Sequence, residues 1–220
     1  MTAFLTHMLA LGIGYLFGLF QTAFIYGKCC GIDIRTVGSG NSGATNALRN
    51  LGLKAGLTVF VGDVLKCVLA ICLTRFLFAG DSPAMREIVT LYTGFGCILG
   101  HNFPFYMNFK GGKGVACSFA VALMINWPAA LIGMAVFFAI FFSVHYVSVG
   151  SLTGLTLVYG TILFRGLGGV FGLSAGQKCQ YAMIIVVILF MAFWQHRENI
   201  RRLRHHSENK TYFTRKKGGS

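Results

Sequence analysis

The chain has 220 residues, 55% hydrophobic and only 11% charged, with a mean hydropathy of +0.67; that balance excludes an ordinary soluble domain and points to an integral membrane protein. A formal charge of +13 would suit nucleic acid in a soluble protein, but eight of the nineteen Lys and Arg residues follow Trp194, so the surplus reads as a membrane-surface tail and no nucleic-acid partner is expected. Cysteines at 29, 30, 67, 72, 97, 117 and 179 are odd in number and form no C-x-x-C pair, which excludes a disulfide framework.

In chain order, apolar segments of membrane-crossing character fall at 4–26, 55–79, 87–107, 114–126, 128–147, 149–165 and 180–195, predicting an all-α, polytopic protein of seven transmembrane helices. The first has no basic n-region and exceeds the core of a signal peptide, so it is expected to be retained. The weakest boundary is Asn126-Trp127-Pro128, which allows only a tight turn between the fourth and fifth spans. Lys28, Arg35, Arg49, Lys54, Lys110, Lys113 and the basic tail all fall on one side if the N-terminus lies outside and the C-terminus in the cytoplasm. The opposite side then carries Arg75, Arg86, Arg165 and Lys178, partly offset by Asp81 and Glu87. Residues 1–208 read as a single membrane domain and 209–220 as a flexible basic tail. Under this topology the segments 28–54, 107–114, 145–151 and 196 onward emerge together on the cytoplasmic face.

The segment "GSGNSGATN" supplies backbone rather than charge. Gly38, Gly40 and Gly43 permit the left-handed conformations that gather successive N–H groups into an anion-binding nest, with Ser39, Asn41, Ser42, Thr45 and Asn46 as neutral donors around it. A helix starting near Ala44 would add its free amides, and Arg49 within that helix is placed to hold phosphate oxygens. A tight interhelical turn is the plainer alternative. "FKGGKGVA" repeats the recipe: Gly111, Gly112 and Gly114 free the backbone and Lys110 and Lys113 add charge; snorkelling lysines at a helix end would explain the charges but not the glycines. His101, in the preceding "GHNFPFY", is a candidate binding residue or a packing histidine. In "HRENIRRL", His196, Asn199 and Leu203 share one helical face, so His196 and Asn199 point together; the arginines around them suit anionic lipid. Asp63 and Lys66, one turn apart in the second span, are costly in hydrocarbon and read as a structural pair. Ser148 and Ser151 are candidates for a polar ligand or for interhelical packing.

"GSGNSGATNALRNLG", "GHNFPFYMNFKGGKGVA" and "HRENIRRL", followed by Glu208, stand in the order and spacing of the three motifs of the bacterial acyl-phosphate:glycerol-3-phosphate acyltransferases of the PlsY type, which the chain resembles from about Leu5 to Glu208. The resemblance implies a seven-helix enzyme of the bacterial cytoplasmic (inner) membrane, its active site facing the cytoplasm. It would transfer a fatty acyl group from acyl phosphate to the 1-hydroxyl of glycerol 3-phosphate, giving lysophosphatidic acid and phosphate in phospholipid biosynthesis. It also implies that Ser39, Arg49, Lys113, His196 and Asn199 are catalytic. Gly38, Gly40, Asn41, Gly43, Ala44, Thr45, Asn46, His101, Gly111, Gly112, Gly114, Ser148 and Ser151 would line the substrates, and Glu208 would be the acidic residue of the third motif. Ser42 departs from the family's usual proline and His206 from its usual glycine.

No cofactor and no metal are expected, since the six histidines and six acidic residues do not gather at ligand spacing. A small membrane transporter or channel for an anionic solute is the rival. A carrier would place its polar groups near mid-membrane, accessible from both sides, whereas an enzyme would gather them at one face.

Overall fold

A computed structural model describes residues 2–212. Those residues form ten α-helices and no strand: α1 (Ala3–Gly18), α2 (Thr22–Cys29), α3 (Ala44–Leu51), α4 (Leu53–Phe78), α5 (Pro83–Asn102), α6 (Val115–Ile125), α7 (Trp127–Val144), α8 (Val147–Leu167), α9 (Ala175–Gln195) and α10 (Arg197–Arg204), with a 3-10 turn at Phe105–Met107. Five helical segments, Ala3–Cys29, Leu53–Phe78, Trp127–Val144, Val147–Leu167 and Ala175–Gln195, are long and apolar enough to cross a membrane.

α5 is the central element. Its glycines mesh with those of α1: a Cβ on Gly14 or Gly18 would strike the α5 backbone at Thr93 and Cys97, and one on Gly96 or Gly100 would strike α1 at Leu11 and Tyr15. Small residues replace hydrophobicity as the basis of contact between helices in lipid, because they let the backbones touch. α6, at 11 residues, is shorter than the roughly 20 residues needed to cross hydrocarbon. It packs among α4, α5, α7 and α8.

The structure departs from the expected boundaries in three places. The first span is broken at residues 19–21, and the break frees carbonyls that a continuous helix would have used. Lys66 Nζ donates to the carbonyls of Phe20 (2.6 Å) and Gly18 (3.4 Å), and Gln21 Nε2 to those of Gly18 and His101. An interruption of this kind persists at membrane depth only where side chains re-satisfy the backbone. The third span ends at Asn102 rather than 107, because Phe103 precedes Pro104 and takes an extended φ of −131°. The tail is not free from 209 onward: the Thr211 N–H donates to His145 O at 3.0 Å, and Thr211 is buried. The remainder of the expected flexible segment, 213–220, lies outside the described residues.

The turn at Asn126 is as tight as expected. Asn126 ends α6 and starts α7, its side chain accepting from the Ala129 N–H at 3.2 Å, with Pro128 in the first turn where a missing N–H is harmless. Asp63 and Lys66 pair at 2.9 Å with both side chains almost fully buried, and Lys66 also donates to His101 Nδ1 at 2.9 Å.

Candidate functional site

The loop 38–46 is built around one asparagine. Asn46 is buried; its Nδ2 donates to the carbonyls of Ile34 and Val37 at 3.1 Å each, while its Oδ1 accepts from the Ser39 N–H and from Asn50 Nδ2 at 3.0 Å. Beneath it lies a small apolar cluster of Ala23, Ile34, Ala47, Ala55 and Val59. Gly38 and Gly40 take the left-handed φ values expected of them (59° and 67°), but Gly43 does not: it is extended (φ −136°) and precedes α3 as its N-cap. The N–H groups of Ser39, Gly40 and Gly43 are consumed inside the loop, by Asn46 Oδ1, Val37 O and Asn41 O. The donors facing outward are the first-turn amides of α3, Ala44 and Thr45, which have no intrahelical acceptor.

The second glycine loop shows the same division. The Gly111 and Gly112 amides donate to Asn102 O and His101 O at 3.0 Å each. A Cβ on Gly111 would strike His101 O, and one on Gly112 the His101 imidazole at Nε2. These glycines permit close approach to the end of α5 and do not form a nest. Gly114 (φ 77°) turns the chain into α6, whose first-turn amides at Val115 and Ala116 are unpaired within the helix. Asn41 Nδ2 donates to Gly111 O at 3.3 Å, which ties the two loops together.

Both helix starts open onto one cavity of about 360 Å³. Fourteen of the eighteen expected residues line it: Ser39, Asn41, Gly43, Ala44, Thr45, Asn46, Arg49, His101, Lys113, Gly114, Ser148, Ser151, His196 and Asn199. Gly38, Gly40, Gly111 and Gly112 do not, because they shape the backbone behind the wall. Asp63, Arg202 and Glu208 also line it, as do Phe60, Met134, Phe137 and Phe141. A second apolar pocket of about 70 Å³ shares Phe60, Val115, Met134, Phe137 and Ser151 with it and runs between α6, α7 and α8.

The charged groups of the cavity form a chain. Lys113 Nζ donates to Asn199 Oδ1. Asn199 Nδ2 donates to Glu208 Oε1 at 2.6 Å, Arg202 Nε donates to Glu208 Oε2 at 2.7 Å, and Ser148 Oγ donates to Oε1 at 3.5 Å. Burial lowers the Lys113 pKa to about 8; Glu208 opposes the shift, while Arg202 and Arg49 add to it. His196 is held neutral at physiological pH, its pKa lowered to about 4 by burial first and by Lys113 second. Its Nδ1–H donates to Ala192 O at 2.7 Å, which leaves Nε2 as the unprotonated nitrogen of the ring.

Glu208 was visible in the sequence only through the family resemblance. Arg202 was hidden among the other arginines of α10, although it falls three residues after Asn199 on the same face. Asp63 was expected to be structural, and it combines that pairing with a place on the cavity wall. The apolar residues of α7 gave no signal, because that helix is hydrophobic all round.

The family model described as glycerol-3-phosphate acyltransferase matches residues 8–206. The chain belongs to that family. It is 38% identical over 205 residues to the glycerol-3-phosphate acyltransferase of Alkaliphilus metalliredigens (strain QYMF), covering 93% of this chain and 95% of the relative. It is 35% identical over 198 residues to that of Prochlorococcus marinus (strain NATL2A), covering 90% and 94%. Crystal structures of PlsY (YgiH), an integral membrane glycerol 3-phosphate acyltransferase, match it in two forms. The glycerol 3-phosphate form gives a TM-score of 0.78 at 33% identity, and the lysophosphatidic acid form 0.76 at 32%; each match covers 94% of this chain and 96% of the other. The family's second departure has a local meaning here, since His206 has a left-handed φ of 53°, a conformation in which glycine is unstrained.

Proposed function

We propose that the protein transfers a fatty acyl group from acyl phosphate to the 1-hydroxyl of glycerol 3-phosphate, releasing lysophosphatidic acid and inorganic phosphate, in the bacterial cytoplasmic membrane. The observation that carries this reading is the composition of one cavity wall. Two helix starts with unpaired amides, Arg49 and Lys113 suit phosphate, and Phe60, Met134, Phe137 and Phe141 of the same cavity suit an acyl chain. The chain's membership of the glycerol-3-phosphate acyltransferase family favours the enzyme over the carrier. Membrane lipid is the surrounding partner, and the bundle crosses seven times with its N-terminus outside and its C-terminus and site facing the cytoplasm.

In this mechanism the acyl chain lies against α4 and α7, and the donor phosphate is held by Ser39, the α3 start and Arg49. Lys113, fixed by Asn199, draws in glycerol 3-phosphate. Its C1 oxygen attacks the acyl carbonyl, a new C–O ester bond forms, the bond to the phosphate oxygen breaks, and phosphate leaves with the bonding pair. The hydroxyl proton passes to His196 Nε2 or to the donor phosphate itself. Acyl phosphate is already activated, so positioning and charge stabilisation supply most of the acceleration.

Two measurements test the reading. A Lys113→Met variant is expected to raise the KM for glycerol 3-phosphate by about tenfold or more, the scale of one lost charge-assisted contact, with the KM for acyl phosphate little changed; an effect confined to the donor would refute the assignment. A single-cysteine variant retaining the exposed Cys30 is expected to react with an impermeant thiol reagent only in inverted vesicles, and labelling of intact cells would refute the orientation.

A further inference from the structure

The segment that follows Glu208, itself on the cavity wall, packs back onto Arg49 of α3. Arg49 Nε donates to Thr211 Oγ1 at 2.7 Å, and Arg49 Nη2 donates to Asn209 O at 2.7 Å. The segment is itself anchored on the α7–α8 connection: the Thr211 N–H donates to His145 O at 3.0 Å, the Tyr212 ring packs on the His145 ring at a centroid distance of 4.6 Å, and Lys210 Nζ lies 5.7 Å from the centre of the Tyr146 ring. His145 holds its acceptor carbonyl there in a left-handed conformation, φ 62°. Thr211 is buried although it lies seven residues beyond the end of α10 at Arg204, with exposed residues on both sides of it. These residues fall beyond the 8–206 matched by the family model.

The chemistry of the contact is informative. Both hydrogen-bond partners of Arg49 are neutral oxygens, and no carboxylate of the described residues lies within 4.0 Å of it, Glu208 acting on it only through space with Arg202 opposing. A carboxylate there would neutralise the guanidinium and compete with a phosphate ligand. A hydroxyl and a carbonyl fix its direction and leave its charge available. Long, flexible side chains lose conformational freedom on binding, so an arginine already held in place binds an anion more tightly than one that must first be ordered.

We propose that Asn209 and Thr211 form a strap that positions Arg49 for the phosphate of acyl phosphate. The strap contributes through Arg49, and Thr211 is a positioning residue. The inference rests on the proposed function, in which Arg49 meets the donor phosphate.

The test is steady-state kinetics of the full chain in detergent micelles, with a long-chain acyl phosphate and glycerol 3-phosphate. Thr211→Val removes the acceptor at nearly constant volume, and Thr211→Ser keeps it. Thr211→Val is expected to raise the KM for acyl phosphate about three- to tenfold, the scale of re-ordering one long side chain, with kcat and the KM for glycerol 3-phosphate within about twofold of wild type. Thr211→Ser is expected to restore the wild-type value. In an Arg49→Met background, Thr211→Val is expected to add nothing further to that KM. An unchanged KM in Thr211→Val, a rise confined to glycerol 3-phosphate, a loss of kcat alone, or an undiminished effect without Arg49 would each overturn the proposal. Absence of turnover in the wild-type protein would instead defeat the function on which the inference rests, so the two failures are distinguishable.

Discussion

Replacement of Glu208 by glutamine tests the charge chain of the cavity at the one carboxylate besides Asp63 that lines it among the described residues. The Glu208 side chain is 2% exposed and accepts from Asn199, Arg202 and Ser148. Lys113 reaches it through the amide of Asn199; for two charges about 7 Å apart at an effective dielectric of about 20, the attraction is about 2.4 kcal/mol. That would correspond to nearly two pKa units, and solvent at the mouth of the cavity reduces it, so a downward shift of about one unit is expected. The sign follows from the lysine. In the proposed mechanism only its charged form holds phosphate; that charge is lost as pH rises through its pKa, and removing a neighbouring anion lowers that pKa. The pH profile of kcat/KM for glycerol 3-phosphate should therefore fall above about pH 8 in the wild type, where the Lys113 pKa lies, and its limb should move down by about one unit in Glu208→Gln. A limb that stayed in place in the variant would refute the coupling of Lys113 to Glu208 through Asn199.

Three further outcomes follow from other parts of the wall. Gly112→Ala places a methyl group against the His101 imidazole and must displace the chain next to Lys113. An overpacking strain of about 1–3 kcal/mol should raise the KM for glycerol 3-phosphate roughly tenfold, and wild-type kinetics would contradict the packing argument. His196→Gln is expected to lower kcat about a hundredfold, as for loss of a positioned general base; near-normal turnover would exclude the imidazole as an obligatory base and leave the proton to the donor phosphate. Asp63→Asn leaves the buried Lys66 without its anion. Breaking such a pair costs about 3–5 kcal/mol, so the melting midpoint in micelles should drop by about 10 °C, and a midpoint within a few degrees of wild type would contradict a structural role for the pair.

The parts of this protein legible in its sequence are those set by composition and local pattern. Apolar stretches located the helices within a few residues, and Asn126-Pro128 announced a turn because its chemistry is local. Small residues before Ala44 and before Val115 marked two helix starts, and both now face one cavity. The glycines were harder to read, because sequence shows conformational freedom and not its use. Gly38, Gly40, Gly111 and Gly112 serve close packing behind the wall, and the amides that face the cavity belong mainly to the helix starts. The break after Gly18 was invisible, since its carbonyls are satisfied by Lys66 and Gln21, the former 48 residues away from Gly18. The contacts of Arg49 with Asn209 and Thr211 span 160 and 162 residues, a distance over which no local pattern carries information.

The most direct test of the account is a donor comparison with purified protein in micelles, using labelled glycerol 3-phosphate with either a long-chain acyl phosphate or the corresponding acyl-CoA. The account predicts lysophosphatidic acid and inorganic phosphate in equal amounts from acyl phosphate, and no product from acyl-CoA. Product from acyl-CoA at a comparable rate, or phosphate release without lysophosphatidic acid, would contradict it.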